Sequence, residues 1–441
     1  MPVSFRIALV FAFALMQPAG GLSPDERALA TFVDAHTAES LALLERVVNI
    51  NSGTQNFDGV REVGRIFSDE LAKLGFATRW VDGTPFKRAG HLIADHPGPR
   101  NSAEQTAPRI LLIGHLDTVF EKDSPFQRFE RVDDRTARGP GIIDMKGGNV
   151  VMIGALKALH SIGALQRMNV VVVMTGDEED SGDPLSAARE ALVAAGKTAD
   201  LAIGFEDGPA DPKLAVTARR GTTGWEVSVT GKPAHSSQIF REDIGYGAIY
   251  EMARILNAFR EQLAGEAHLT FNPGVLLGGT ALEFDPVQLR GSAAGKTNVV
   301  AEHAVASGDL RALSREQFDH AKKTMTDIVG ASLPHTSATI KFDEGYPPMA
   351  PTEGNAKLLA MYDQASRDLG FGTVTAVSPD RAGAADVSFV AGDVKMILDG
   401  VGLMGHDDHT ANETGDLTTL PSQTKRMALL LYRIASGGLP K

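Results

Sequence analysis

Cysteine is absent from the 441 residues. No disulfide can brace the fold and no thiolate can hold a metal, so any metal site here must be built from imidazole and carboxylate. Basic clusters are missing as well. Lys and Arg number 43 against 55 Asp and Glu, a net charge of −12, which excludes the electrostatic footprint of a nucleic-acid or anionic-membrane binder. There is no internal repeat, heptad seam or long low-complexity tract. Charged residues make up only 22% and hydrophobic ones 43%, so the chain has the apolar material for folded cores. Its length implies two or three domains. A small molecule or short peptide is the expected partner.

Long apolar runs are also lacking, apart from Ile7 to Met16. This run follows Arg6 and precedes Gln17-Pro-Ala19-Gly-Gly21, whose small residues suit a signal peptidase. Residues 1–21 therefore read as a secretory signal, which implies a secreted or periplasmic protein with no membrane attachment once the signal is removed. The competing reading is a buried N-terminal strand or short helix.

What the sequence does hold is a stretch from Gly114 to Gly182 with three turns, each directly after an apolar run. They are Arg109-Ile-Leu-Leu-Ile-Gly-His115-Leu-Asp117, then Gly139-Pro-Gly-Ile-Ile-Asp144-Met-Lys-Gly-Gly148, then Val170-Val-Val-Val-Met-Thr-Gly-Asp177-Glu178-Glu179. A fourth run, Leu201-Ala-Ile-Gly-Phe205, ends in Glu206-Asp207. Short β-branched runs bounded by glycine read as strands buried on both faces of a parallel sheet, and such sheets carry their chemistry at the strands' carboxyl ends. A histidine and several carboxylates delivered to one edge suit Zn²⁺ better than Mg²⁺ or Ca²⁺. Taken alone, each acid after a strand reads as a helix N-cap. The set in this order does not.

Helical spacing runs from Pro24 to Val48, opened by Ser23-Pro24 as cap and first-turn proline, and again from Val60 to Leu74, closed by Gly75. Helices are expected at Asn149 to Ile162 and Pro184 to Ala195. From about Ala215 the order becomes β-α-β-β-α-β, with helices at Ile244 to Leu263 and Arg315 to Val329, the pattern of a split βαβ sandwich inserted into the first domain. After Pro347-Pro348 the first pattern resumes, with helices at Asn355 to Leu369 and Pro421 to Ala435 and a strand at Val394 to Leu398. The fold class is thus α/β, with a discontinuous catalytic domain over 22–215 and 347–441. Its sheet is largely parallel and covered by helices, and residues 216–346 form an inserted ferredoxin-like lid.

Together GHLDTV, GPGIIDMKGG, TGDEEDSG, FED and GHDDHTANE resemble the family of dizinc aminoacylases and carboxypeptidases that includes the folate-cleaving glutamate carboxypeptidase. The resemblance covers nearly all of the chain beyond the signal. It implies two zinc ions per chain, with His115, Asp144, Glu179, Glu206 and His409 as ligands and Asp144 bridging. Asp117 would orient the His115 imidazole, and Glu178 would be the general base. Asp207 is the alternative to Glu206, and His406 the alternative to His409.

In the inserted domain, His235 of Gly231-Lys-Pro-Ala-His235 resembles the family's lid histidine, which reaches the partner subunit's site in a homodimer. Asn298 and Arg311 match positions that hold the substrate carboxylate, and Arg381 lies in a loop expected to line the pocket. The implied activity is hydrolysis of an amide or peptide bond next to a free carboxylate, as in a carboxypeptidase or N-acyl amino acid amidohydrolase. A dipeptidase or aminopeptidase of the same fold, or a non-catalytic peptide-binding protein, are the alternatives. Gly345-Tyr-Pro-Pro-Met349 has no Arg or Lys where the glutamate-specific member carries basic character, which weighs against glutamate specificity.

Overall fold

The computed structural model describes residues 21–98, 107–208 and 210–439. The expected signal segment therefore lies outside the described residues, save Gly21. Three helices open the described chain: α1 (Pro24–Ala35), α2 (Thr37–Val48) and α3 (Phe57–Lys73). Ser23 and Glu26 form a reciprocal cap on α1, with Pro24 in its first turn. The single helical stretch expected over Pro24 to Val48 is broken at His36, whose ring stacks on Phe32 at 3.8 Å while the Thr37 hydroxyl donates to the Val33 carbonyl. These local side-chain bonds compete with a continuous helix.

The central sheet contains β1 (Ala77–Asp82), β2 (Gly90–Pro97), β3 (Arg109–His115), β4 (Asn169–Thr175) and β5 (Leu201–Gly204), in the order β1-β2-β4-β3-β5, with Ile397–Leu398 added at the far edge. β4, β3, β5 and Ile397–Leu398 run parallel, while β2 runs antiparallel to both its neighbours, β1 and β4. Alternate residues of these apolar runs feed two cores. Ile110, Leu112, Val170, Val172 and Ile203 pack on one side with α3 and with α4 (Gly148–Ser161). Leu111, Ile113, Val171, Val173 and Ala202 pack on the other with Leu192 of α5 (Leu185–Gly196). Burial on both faces explains why the runs are continuous and not alternating. The strand expected over Val394 to Leu398 pairs only at its last two residues. Asn355 takes the Ile397 N–H at 2.8 Å, and the Val394 N–H turns back to Val390.

Residues 221–342 build a second sheet from β6 (Gly221–Gly231), β7 (Thr270–Gly279), β10 (His303–Ala312) and β11 (Thr336–Phe342), ordered β7-β10-β6-β11 and antiparallel throughout. The hairpin β8 (Ala281–Asp285) and β9 (Arg290–Ala294) projects between β7 and β10. The sequence pattern did not lead us to expect it: its apolar tip is solvated, with Val287 84% exposed. Helices α6 (Gly247–Leu263) and α7 (Arg315–Gly330) cover one face, burying Trp225, Val227 and Val229 against Met252, Ile255 and Phe259. The two crossings between the sheets lie side by side. Arg219 and Met349 exchange backbone hydrogen bonds, and the Thr222 N–H donates to the Tyr346 carbonyl at 3.0 Å. Helices α8 (Glu353–Asp368) and α9 (Thr419–Gly437) return to the first core. Among the described residues no helix is long and apolar enough to cross a membrane.

Leu112 is fully buried in β3, the strand that presents His115. Leu112→Ala is expected to cost about 2–5 kcal/mol through lost burial and a residual cavity, read from urea unfolding. A loss below about 1 kcal/mol would remove this strand from the stabilising core.

Candidate active site

Three parallel strands end at one edge. β3 ends on His115, β4 on Thr175 just before Asp177-Glu178-Glu179, and β5 just before Phe205-Glu206. The Asp144 turn enters between them and leads into α4, where Gly148 packs so tightly that a Cβ would lie 1.8 Å from the Phe205 carbonyl oxygen. Only glycine allows that approach. Asn149 then donates to the His115 carbonyl at 2.6 Å, joining the start of α4 to the end of β3.

Asp144 is the centre of the cluster. One of its carboxylate oxygens lies 2.9 Å from His115 Nε2 and the other 2.8 Å from His409 Nε2. Glu206 reaches His115 Nε2 at 3.4 Å, and Glu179 reaches His409 Nε2 at 3.3 Å. Two three-residue groups capable of holding a metal ion result: His115, Asp144 and Glu206, and Asp144, Glu179 and His409. They share Asp144. His406 is not among them; it lines the adjoining cavity, as does Asp207.

The electrostatics favour a cation. Burial raises the Glu178 and Glu206 carboxyls well above their ordinary range, with His115 opposing and neighbouring carboxylates adding to the effect. Burial and Asp144 push Glu179 up to about 7. Among the described residues one Glu179 oxygen is buried with no hydrogen-bond partner, which is costly for a polar atom unless something else satisfies it. Two imidazoles and three carboxylates at ligand separation are a donor set that fits divalent zinc.

The surrounding shell is closely bonded. His115 Nδ1 lies 3.1 Å from the Asp117 backbone carbonyl, an acceptor that places the proton on Nδ1 and turns the Nε2 lone pair to Asp144 and Glu206. The Asp117 carboxylate is farther from Nδ1, at 3.5 Å. It mainly accepts the backbone N–H groups of Glu178 and Glu179, at 3.0 and 3.1 Å, and the Thr54 hydroxyl at 2.7 Å. The side chain expected to orient His115 thus also fixes the Glu178-Glu179 turn.

Glu413, fully buried, accepts the N–H groups of Gly141, Ile143 and Asp144 at 2.9, 2.9 and 3.3 Å. It ties the loop carrying His409 to the turn carrying Asp144. Sequence reading used Glu413 only as the end of a motif. Its signal was there, an acid four residues after a candidate ligand.

A cavity of about 390 Å³ opens on Asp144, Glu178, Glu179, Glu206 and His409, and is lined further by Arg381 and by Arg219. Arg219, absent from the sequence expectations, is buried and held by Asp399 at 2.7 Å and the Gly383 carbonyl at 2.8 Å. His235, Asn298 and Arg311 do not line this cavity. His235 and Asn298 are neighbours: the Ser236 N–H donates to the Asn298 carbonyl at 2.9 Å. They lie past the end of the second sheet where Thr230 faces His303, whereas Arg311 sits at the other end facing Thr222. At about 3.3 Å per residue these ends are on the order of 25–30 Å apart. Within one chain the second sheet does not bring Asn298 and Arg311 to a single carboxylate.

Residues 111–433 match the family model described as Peptidase family M20/M25/M40. The chain belongs to that family. It is a metallohydrolase of peptide or amide bonds. The chain is 27% identical to carboxypeptidase G2 of Pseudomonas sp. (strain RS-16), with 99% of each chain covered. Aminopeptidase PepT of Bacillus cereus ATCC 10987 superposes with a TM-score of 0.71 at 18% identity, over 91% of this chain and 99% of the other. The YXEP protein of Bacillus subtilis, a dinuclear metal binding peptidase of family M20, superposes with a TM-score of 0.61 at 16% identity, over 91% and 99%. These two likenesses establish the shared fold.

Glu413→Ala would leave three buried N–H groups around Asp144 without an acceptor. The expected result is a folded protein whose metal affinity is about 10- to 100-fold weaker, measured by competition with a chelator. Unchanged affinity would show that the Asp144 turn holds itself.

Proposed function

We propose that this protein is a dizinc hydrolase that cleaves an amide next to a free carboxylate, with an N-acyl amino acid or N-blocked peptide as substrate. The observation that carries the reading is Asp144 placed between His115 and His409 with Glu178 lining the same cavity. His115, Asp144 and Glu206 would hold one zinc and Asp144, Glu179 and His409 the other. The Bacillus subtilis relative's dinuclear character and the resemblance to carboxypeptidase G2 support this assignment. Bound zinc supplies Lewis-acid polarisation and lowers the pKa of a coordinated water.

The chain's own residues do the rest. Glu178 takes a proton from the attacking water and returns it to the leaving amine. Its buried carboxyl is raised toward the range useful for that exchange. His235 Nδ1 lies 2.8 Å from the Ser237 hydroxyl and 3.3 Å from its backbone N–H; with Nδ1 accepting from both, Nε2 would carry the ring proton and could donate to the developing oxyanion.

His235 is exposed and away from its own chain's cavity, which supports a symmetric dimer in which each lid serves the other site. Phe240, Ile249, Tyr250 and Leu276, each more than half exposed on the lid, supply apolar surface for such a contact. The opposite placement of Asn298 and Arg311 fits the same arrangement: Arg311 would serve the carboxylate from its own lid and Asn298 from the other. Arg381, already in the cavity, is the further cation for the substrate. The apolar run Ile7 to Met16 supports export to a secreted or periplasmic location.

A second reading, an aminopeptidase or dipeptidase, rests on Asp207 and Asp408 lining the cavity, where they could meet a substrate amine. Substrates blocked at one end or the other separate the two. Cleavage confined to N-blocked substrates supports the first reading; cleavage confined to free-amine substrates replaces it.

Glu178→Gln should lower turnover by about 10²–10⁴-fold while two zinc ions remain bound. Mixing and re-equilibrating the inactive Glu178→Gln and His235→Ala proteins should restore roughly a quarter of parent activity, because half of the dimers are mixed and each has one intact site. No recovery, with exchange verified, would remove the shared-site dimer.

Arg311→Lys keeps the charge but loses the bidentate fork. It should reduce kcat/KM on carboxylate substrates by about 10- to 100-fold and leave the amidated counterparts little changed. Equal losses on both would move the carboxylate contact to Arg381.

A further inference from the structure

The Gly345-Tyr-Pro-Pro-Met349 segment lacks the basic residues looked for in it, yet it carries a different contact. The hydroxyl of Tyr346 lies 2.8 Å from the backbone carbonyl oxygen of Glu178 and 2.8 Å from an Nη of Arg189. The direction of this relay is fixed by chemistry. Arginine can only donate and a carbonyl can only accept, so Arg189 donates to the Tyr346 oxygen and Tyr346 donates to Glu178. Arg189 cannot drift. It is 2% exposed, pairs with Asp177 at 2.6 Å and with Asp386 at 2.9 Å, and also donates to the Asp177 carbonyl at 3.0 Å. Phe389 packs edge-on to the Tyr346 ring, with centroids 4.7 Å apart.

The Glu178 N–H is held by the Asp117 carboxylate and its C=O by Tyr346. With both flanking peptide planes held, the direction of its Cα–Cβ bond is set. The two holds come from different places. Asp117 follows the end of β3 by two residues, whereas Tyr346 belongs to the crossing between the two sheets, where its own carbonyl accepts the N–H of Thr222 at the foot of β6.

We infer that Tyr346 is a positioning residue for Glu178, aiming its carboxylate through the main chain and tying that aim to the crossing between the two sheets. The inference rests on Glu178 being the general base. Tyr346 is not among the residues that line the cavity; it acts through the Glu178 peptide.

Tyr346→Phe keeps the ring, its packing on Phe389 and its place beside Arg189, and removes only the hydroxyl. The expected result is a roughly tenfold lower kcat, the size of one hydrogen bond lost from the aligned state, with KM, zinc content and melting temperature unchanged. In a Glu178→Gln background the same change should leave the residual rate unaltered, since a residue that acts only through Glu178 has nothing left to aim.

Three outcomes would overturn the inference. The first is a parent-like kcat in Tyr346→Phe. The second is an equal tenfold loss in the Glu178→Gln background. The third is a loss of activity accompanied by lost zinc or a lowered melting temperature, which assigns the hydroxyl to structure alone. Failure of the general-base reading is seen separately, as parent-like turnover in the Glu178→Gln single variant.

Discussion

The structure turns on a crowding problem. Asp144 sits with a histidine within 3 Å of each of its oxygens, and Glu178, Glu179 and Glu206 open on the same cavity. Carboxylates brought this close repel one another and lose their hydration, so they stay together only where hydrogen bonds fix their backbones and cations share their charge. Much of the surrounding architecture answers this. Parallel strands bring the groups to one edge, Gly148 lets α4 approach the end of β5, and Asp117 and Glu413 gather the N–H groups of the turns on which Glu178, Glu179 and Asp144 sit.

A discontinuous chain suits such a site. His115, Asp144, Glu179 and Glu206 come from before the inserted sheet, whereas His409 and Glu413 come from after it. The bond from Glu413 to the Asp144 turn joins the two halves of the first domain at the point where charges are densest. The insertion leaves and returns through two adjacent segments bonded to each other. The same crossing carries the Tyr346 contact to the Glu178 turn.

Much of this was readable in the residues. The apolar runs, the glycines bounding them and the acids following them mark strands and their carboxyl ends, because burial on both faces and chemistry at one edge leave a local pattern. The β-α-β-β-α-β order is local too. What escaped is long-range or aperiodic. Arg219 pairs with Asp399 and Arg189 with Asp386 across wide gaps in sequence, and no spacing rule joins such partners. The β8–β9 hairpin buries little, so it lacks a hydrophobic alternation. Asp117 was read for its carboxylate toward His115, but the backbone carbonyl makes the shorter contact; only coordinates separate the two. Motif alone pairs Asn298 with Arg311, whereas the register of β10 puts them at opposite ends of the second sheet.

The two halves of the cluster differ in their access to water. The His115 side chain is 1% exposed, whereas that of His409 is 53% exposed and sits on a loop whose residues from His406 to Asn412 are solvated. An ion held on the His409 side would therefore exchange with bulk solvent more readily than one held by His115, Asp144 and Glu206.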